Sequence, residues 1–308
     1  MNNGQSRRGV SIGATRSKVR FIASVLLFSL TIVVTPATAS NNSARSPQYY
    51  LSLGDSIAVG IQPGFSNGVE TLRGFSNKVV TDLAPKYKLV LRNFACGGET
   101  TFQMMSSIGC PSGSVALNAV SYPSRSQLAA AVSFIHAHPG HIALITISIG
   151  FNDLDQNESL NTVQANIQRI ALQLRTASGS QVPIMALNYD DYQLANWLID
   201  ADGKVTALDS VAKYRYVINP MLVAAYARTK VDIVDVSTAF GTAIPFSQVT
   251  NLAPYGVVPQ AVARLCMLTW NCSQANEHFT DSGYSLVASL ISTQFRAMMA
   301  SKRTVAKG

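Results

Sequence analysis

Tyr49-Tyr50-Leu51-Ser52-Leu53-Gly54-Asp55-Ser56 reads as a short strand that stops on turn chemistry and delivers a serine. β-formers dominate its first five positions, and Gly-Asp-Ser is turn sequence. A serine at the C-terminal end of a strand stands where α/β folds place their ligands. The rest of the chain then has to supply that fold, together with a base and donors for a reaction at the hydroxyl.

Outward from this stretch, strand-like and helix-like segments alternate to the end of the chain. Phe75 to Leu83 carries apolar residues at helical spacing and stops before Pro85. Lys88–Phe94, His141–Ile149, Val182–Leu187 and Val231–Val236 read as further strands. Between them, Gln127–His136, Leu160–Thr176 and Val211–Arg228 read as helices, and Ser282–Met299 closes the chain with an apolar stripe. Near-continuous apolar strands separated by helices predict a parallel sheet covered on both faces. No internal repeat or domain linker interrupts the pattern. Two segments exceed ordinary connections, Tyr189–Ser210 and Phe240–Asn276, and such stretches shape clefts or hide short helices. Within the second, Val257–Trp270 is predicted to be helical.

The first 39 residues stand apart. Arg7, Arg8, Arg16, Lys18 and Arg20 precede an apolar run, Phe21 to Val34, and then Ala37-Thr38-Ala39. A basic region, an apolar region and an A-x-A site make an export signal, cleaved after about Ala39. The run is short for a membrane span; an uncleaved anchor is the alternative. Ser6-Arg7-Arg8 hints at twin-arginine export without deciding between routes. The expected organisation is a leader at 1–39 and one domain at 40–308, a secreted protein with no stable membrane span.

Removing the leader changes the charge argument. The whole chain is +8, but the leader holds five of the 24 basic residues and no acidic one, leaving 19 against 16. A net of +3 with no basic stripe leaves nucleic-acid binding unsupported, and no nucleic-acid partner is expected. All four cysteines, Cys96, Cys110, Cys266 and Cys272, follow the leader, and an even count in an exported chain predicts disulfides. Three connectivities exist; the sequence-local one pairs Cys96 with Cys110 and Cys266 with Cys272. Zinc is disfavoured because neither pair has C-x-x-C spacing. His136, His138 and His141 cluster at the opposite edge of the third strand, beside Pro139-Gly140, so no metal and no cofactor is expected.

A nucleophilic serine needs a base and oxyanion donors. The G-x-S-x-G elbow is absent, since Gly54-Asp55-Ser56-Ile57-Ala58 fails at its last position. Three other blocks fall at strand exits or before the last helix. Asn93-Phe94-Ala95-Cys96-Gly97-Gly98-Glu99-Thr100 has paired glycines that let backbone approach a ligand. Ile149-Gly150-Phe151-Asn152-Asp153 offers a side-chain amide. Asn276-Glu277-His278-Phe279 supplies a histidine just before the closing helix. Asp153, Asp190 and Asp191 follow strands at the same edge and read as solvated loop carboxylates.

Together these blocks resemble the GDSL lipase/esterase family, also called SGNH hydrolases, from Gly54 to Gly283 and in the family's order. The resemblance implies a three-layer α/β/α sandwich with a five-stranded parallel sheet of flavodoxin-like order. It also implies a serine esterase acting on a small-molecule or lipid ester as a monomer. Ser56 would be the nucleophile, His278 the base, and Ser56, Gly98 and Asn152 the oxyanion donors. The second block of the family, N-x-x-x-S-G-x-T, aligns on Asn93, Gly98 and Thr100. One departure matters: the family's aspartate three residues before the histidine is Ala275 here. The expectation is therefore a Ser-His dyad with a backbone carbonyl behind the histidine, Glu277 being the alternative acid. A carbohydrate O-acetylesterase or acyltransferase of the same fold is the second reading, and an inactive binding module the third. Apolar residues of the late insertion (Leu252, Tyr255, Val257, Val258, Val262, Leu265, Trp270) fit an acyl-binding cleft or core packing equally.

Overall fold

The computed structural model describes residues 47–63 and 72–305. The expected leader, 1–39, lies outside the described residues.

Five parallel strands make the central sheet: β1 (Gln48–Gly54), β2 (Leu89–Asn93), β3 (Ile142–Ser148), β4 (Ile184–Leu187) and β5 (Asp232–Val234). Their order is β2-β1-β3-β4-β5, and every pairing is parallel. This is the predicted flavodoxin-like order, whose switch point falls between β1 and β3. Alternate residues of each strand feed separate cores. Leu51, Leu53, Ile145, Ile147 and Ile184 face one apolar layer; Tyr50, Leu144, Met185 and Leu187 face the other. Burial of both faces is why the strands read as continuous apolar runs.

The helices are α1 (Ser56–Val59), α2 (Phe75–Leu83), α3 (Thr101–Ser106), α4 (Gln127–Ala137), α5 (Phe151–Asp155), α6 (Leu160–Ser178), α7 (Ala201–Lys213) and α8 (Asn219–Ala227). They continue with α9 (Val236–Ala239), α10 (Gln260–Leu268), α11 (Asn271–Gln274) and α12 (Asp281–Val305). Helices α4, α6 and α8 pack on the first core, α2 and α12 on the second. The three layers of the expected sandwich follow.

Two stretches differ from the sequence reading. The helix read as Val211–Arg228 begins earlier, at Ala201, where the Asp200 side chain accepts from Gly203 N at 2.7 Å. Gly203 and two aspartates gave that turn the look of a loop. Between α7 and α8 the chain widens into a π-helical turn, Tyr214–Ile218, just before Pro220. Proline lacks the N–H that would continue the ordinary ladder. The stretch read as a helix from Val257 starts instead as a hairpin, β6 (Val249–Leu252) with β7 (Gly256–Pro259), and only then becomes α10. Two β-branched valines after Gly256, and Pro259 before the helix, set that boundary.

Both long segments carry short helices and pack together. Leu194, from a 3₁₀ turn at Tyr192–Leu198, shares a small core with Ala261, Val262 and Leu265 of α10, and Trp197 and Phe246 flank it. Core packing thus accounts for Val262 and Leu265, whereas Val257 is exposed.

Candidate active site

The serine is set by what happens one residue earlier. Gly54 has φ +139°, and a Cβ there would lie 1.9 Å from the Ser148 carbonyl oxygen, so β1 and β3 approach too closely for any side chain. Asp55 N–H donates to that same carbonyl at 3.0 Å. Buried Gln127 grips both sides of Gly54: its Oε1 accepts from Gly54 N at 2.7 Å and its Nε2 donates to Gly54 O at 3.0 Å. Asp55 then caps α1, accepting from Ile57 N at 3.0 Å. Ser56 emerges, half-buried, as the first residue of that helix.

The loop after β2 is held as firmly. Asn93 donates to Ala58 O at 2.9 Å and accepts from Ala95 N at 2.9 Å, tying the loop to the serine helix. Cys96 is bonded to Cys110, and Gly97 N donates to Ser114 O at 2.8 Å. Gly98 follows with φ +73°, exposed, with open space where a Cβ would point. That left-handed conformation is inexpensive only for glycine. Among the described residues, neither the Ser56 N–H nor the Gly98 N–H has a hydrogen-bond acceptor. Glu99 and Thr100 close the loop, Thr100 forming a capping box with Gln103 on α3.

Asn152 reaches this loop from the exit of β3. Its Nδ2 donates to Glu99 O at 3.0 Å, and an amide carries a second N–H. Gly150, at φ +110°, makes the turn beneath it; a Cβ there would meet the Tyr189 hydroxyl at 2.5 Å. Asp153 is no solvated carboxylate. It is buried and receives Thr101 N at 2.8 Å and Thr101 Oγ1 at 2.5 Å, fixing the start of α3. Asp190 and Asp191 are buried too, correcting the reading of all three as loop-surface groups. Asp191 accepts from Ser210 Oγ at 2.7 Å.

His278 lies on a loop pinned to the end of α10. Its carbonyl accepts from Trp270 N at 2.9 Å, and Thr280 N donates to Leu268 O at 2.9 Å. The Cys266–Cys272 bond clasps the same turn. Asn276 Oδ1 accepts from His278 N at 3.1 Å and faces His278 Nδ1 at 2.8 Å. A backbone N–H can only donate, so the atom facing it is the amide oxygen, and Nδ1 must carry the ring proton. Nε2 is then the basic nitrogen, and it is buried with no hydrogen-bond partner among the described residues. The group behind the imidazole is thus a side-chain amide rather than the backbone carbonyl expected, while Glu277 Oε1 stands 3.9 Å from Nδ1. The physical reason is an Asx turn, which folds the Asn276 side chain over the residue two positions on. An asparagine two residues before a histidine was the signal available in the sequence.

Ser56 shares a cleft with Glu277 and Phe279, the neighbours of His278 on either side, and with Phe151, the neighbour of Asn152. Of the predicted nucleophile, base and donors only Ser56 lines this cleft itself; His278 and Asn152 reach it through these sequence neighbours, and Gly98 does not line it. None of the late-insertion residues weighed for acyl binding lines this cleft. Burial pushes the His278 pKa below the usual histidine value, partly opposed by Glu277, so the ring is neutral near pH 7. Burial pushes Asp55 up to about 7 and Glu99 up to about 8. Gln127 Nε2 also donates to Glu99 Oε2, linking this carboxyl to the Gly54 clamp. His138 is used structurally: it stacks on Phe134 at 4.0 Å, and Nδ1 meets Phe134 O at 2.8 Å. Among the described residues no group of three or more His, Cys, Asp or Glu is arranged to hold a metal.

Solved structures to which the chain is similar include the psychrotrophic esterase EstA from Pseudoalteromonas sp., at 10% identity and TM-score 0.47, with 82% of this chain and 99% of that one covered. A carbohydrate acetylesterase family member from Sinorhizobium meliloti aligns at 12% identity and TM-score 0.47, with the same coverage of 82% and 99%. The lipase Lip_vut3 from a goat rumen metagenome aligns at 17% identity and TM-score 0.46, covering 82% of this chain and 97% of that one. No curated protein matches the sequence. The profile of the GDSL-like Lipase/Acylhydrolase family does match, over residues 52–286, which takes in all four blocks. On that match, across most of its length, the chain belongs to the GDSL-like lipase/acylhydrolase family and is an ester-hydrolysing enzyme.

Proposed function

We propose that this chain is an exported serine esterase that cleaves carboxylic esters through an acyl-enzyme on Ser56. His278 Nε2 takes the Ser56 proton as Oγ attacks the ester carbonyl. The oxyanion is received by the N–H groups of Ser56 and Gly98 and by the second N–H of Asn152. His278 then passes its proton to the departing alcohol, and water hydrolyses the acyl-enzyme by the same route. Asn276 holds the imidazole in the tautomer this requires, and Glu277 Oε1, 3.9 Å from Nδ1, is the carboxylate beside the imidazolium. Export follows from the leader expected at 1–39, leaving a single hydrolase domain from Ser40. Two disulfides, and no helix among the described residues long and apolar enough to cross a membrane, agree with that placement.

The observation carrying this reading is the unpartnered Nε2 of a neutral, buried histidine whose other nitrogen is tied to Asn276, on a loop that shares its cleft with Ser56. The test is labelling by an alkyl fluorophosphonate, with hydrolysis of 4-nitrophenyl esters of graded acyl length measured beside acetylated xylan. Label on Ser56, lost in Ser56→Ala, is expected along with turnover of a carboxylic ester. No label and no turnover would leave a binding module, and release of acetate alone would point to a deacetylase.

A further inference from the structure

The segment after β4, Asn188-Tyr189-Asp190-Asp191, borders the Ser56 cleft, and three of its four side chains are spent on structure. Asn188 donates to Asp235 Oδ1 at 2.9 Å and accepts from Ser237 N at 2.9 Å. The Tyr189 hydroxyl donates to Ile149 O at 2.5 Å. Asp191 accepts from Ser210 Oγ and, at 3.2 Å, from Gln193 N. Asp190 differs. It is only 7% exposed, it lines the cleft with Ser56, and its Oδ2 has no hydrogen-bond partner among the described residues. A buried carboxyl oxygen left unpaired opposes folding and contributes nothing to the scaffold. A cleft beside a nucleophile is where such a group finds its partner in a ligand.

The walls define that partner. Among the described residues no lysine, arginine or histidine lines the cleft, whereas Asp55, Asp190 and Glu277 do, so an anionic group is disfavoured. Asp55 Oδ2, also buried and unpaired, adds a second acceptor. Burial pushes the Asp190 pKa up to about 7, with the Asp191 and Glu277 charges adding to it, so both protonation states are populated near neutrality. A hydroxyl donates to the carboxylate and accepts from the acid, serving either state; an ammonium serves only one.

We propose that this cleft is a subsite for a substrate hydroxyl, bound by Asp190, so that the enzyme selects esters carrying a free hydroxyl close to the ester bond. The proposal rests on Ser56 being the nucleophile of that cleft. The hydroxyl can belong to the alcohol or to the acyl group, and matched esters separate the two. For the alcohol side, kcat/KM is compared for 2-hydroxyethyl acetate and 2-methoxyethyl acetate. For the acyl side, ethyl glycolate is compared with ethyl methoxyacetate. Each pair differs in the donor while keeping a similar inductive effect. The purified enzyme is expected to favour the hydroxylated member of one pair by about 10- to 100-fold, since a site built to pair with a hydroxyl rejects analogues lacking the donor. In Asp190→Leu that ratio falls toward one, and Asp190→Asn, which keeps an acceptor and a donor, retains part of it. The ratio is independent of how much variant protein is folded. A wild-type ratio near one in both pairs overturns the proposal. So does a ratio unchanged in Asp190→Leu while both rates drop, which would make Asp190 structural. Failure to turn over any ester, 4-nitrophenyl acetate included, would sink the Ser56 reading itself and the subsite with it.

Discussion

At the residue scale, Ala275 stands where the family has its aspartate, and another side chain, Asn276, meets the histidine ring. Asn276 Oδ1 meets His278 Nδ1 at 2.8 Å, and in the proposed mechanism it orients the ring as a carboxylate would, without the charge. Burial already lowers the His278 pKa, so the acidic limb of the kcat/KM profile is expected below the ordinary histidine value of about 6.5. Asn276→Asp places a negative charge beside the ring, which favours imidazolium and moves that limb to higher pH. Asn276→Ala frees the ring to turn away and is expected to lower kcat about 100-fold. A pH profile identical in all three proteins would remove Asn276 from the mechanism. Asn152 carries a second prediction. If its remaining N–H meets the oxyanion, Asn152→Ala lowers kcat by roughly 100- to 1,000-fold with little change in KM. An unchanged kcat would reduce Asn152 to a brace for the Glu99 carbonyl. Some residue-scale roles were hidden in the sequence. Gln127 sits on a distant helix, and only the tertiary fold brings its amide to Gly54.

At the scale of elements, Gly98 and His278, proposed above for catalysis, ride on loops that the disulfides hold. Cys96–Cys110 closes the segment that begins just before Gly98, with a sequence separation of 14. Cys266–Cys272, with a separation of 6, clasps the turn whose Trp270 N–H anchors His278. In the chain-entropy picture the longer loop is worth about 3 kcal/mol and the shorter about 2 kcal/mol. Replacing the first pair by serines is expected to lower Tm by roughly 6–12 °C. Replacing the second pair should cost less stability and more kcat, because it loosens the base. Thermal melts and steady-state rates on both variants decide this; equal kcat in wild type and the Cys266/Cys272 variant would show that the His278 loop holds itself. Element identities were largely legible, since the strands are apolar runs and α2 ends where Pro85 predicts. The hairpin before α10 was not, because two valines beside an apolar helix match either period.

For the whole molecule, the sheet edge concentrates buried carboxyls near Ser56, the proposed nucleophile. Burial raises Asp55 and Asp190 to about 7, Glu99 to about 8 and Asp191 to about 6. The folded chain keeps protons there that the unfolded chain releases near pH 4, so their contribution is complete below that pH and is lost as pH rises through 6 to 8. His278, with its lowered value, acts in the opposite sense, but it is one group against five, since burial raises Asp153 as well. Tm is therefore expected to be higher near pH 5 than near pH 8.5, and a melting temperature flat or rising across that range would contradict the burial of these groups. The α/β layers and the order of the four blocks were legible in the linear chain, because apolar period, turn residues and motif spacing are local, and the resemblance of those blocks to the family implied the candidate nucleophile, base and donors. Only the tertiary structure decided that Asn276 backs the histidine, that Gln127 clamps the turn before Ser56, and that Asp153, Asp190 and Asp191 are buried. Those facts depend on which side chains meet across the sheet edge, and burial, hydrogen-bond partners and the pKa values they set come into being only when distant segments pack together.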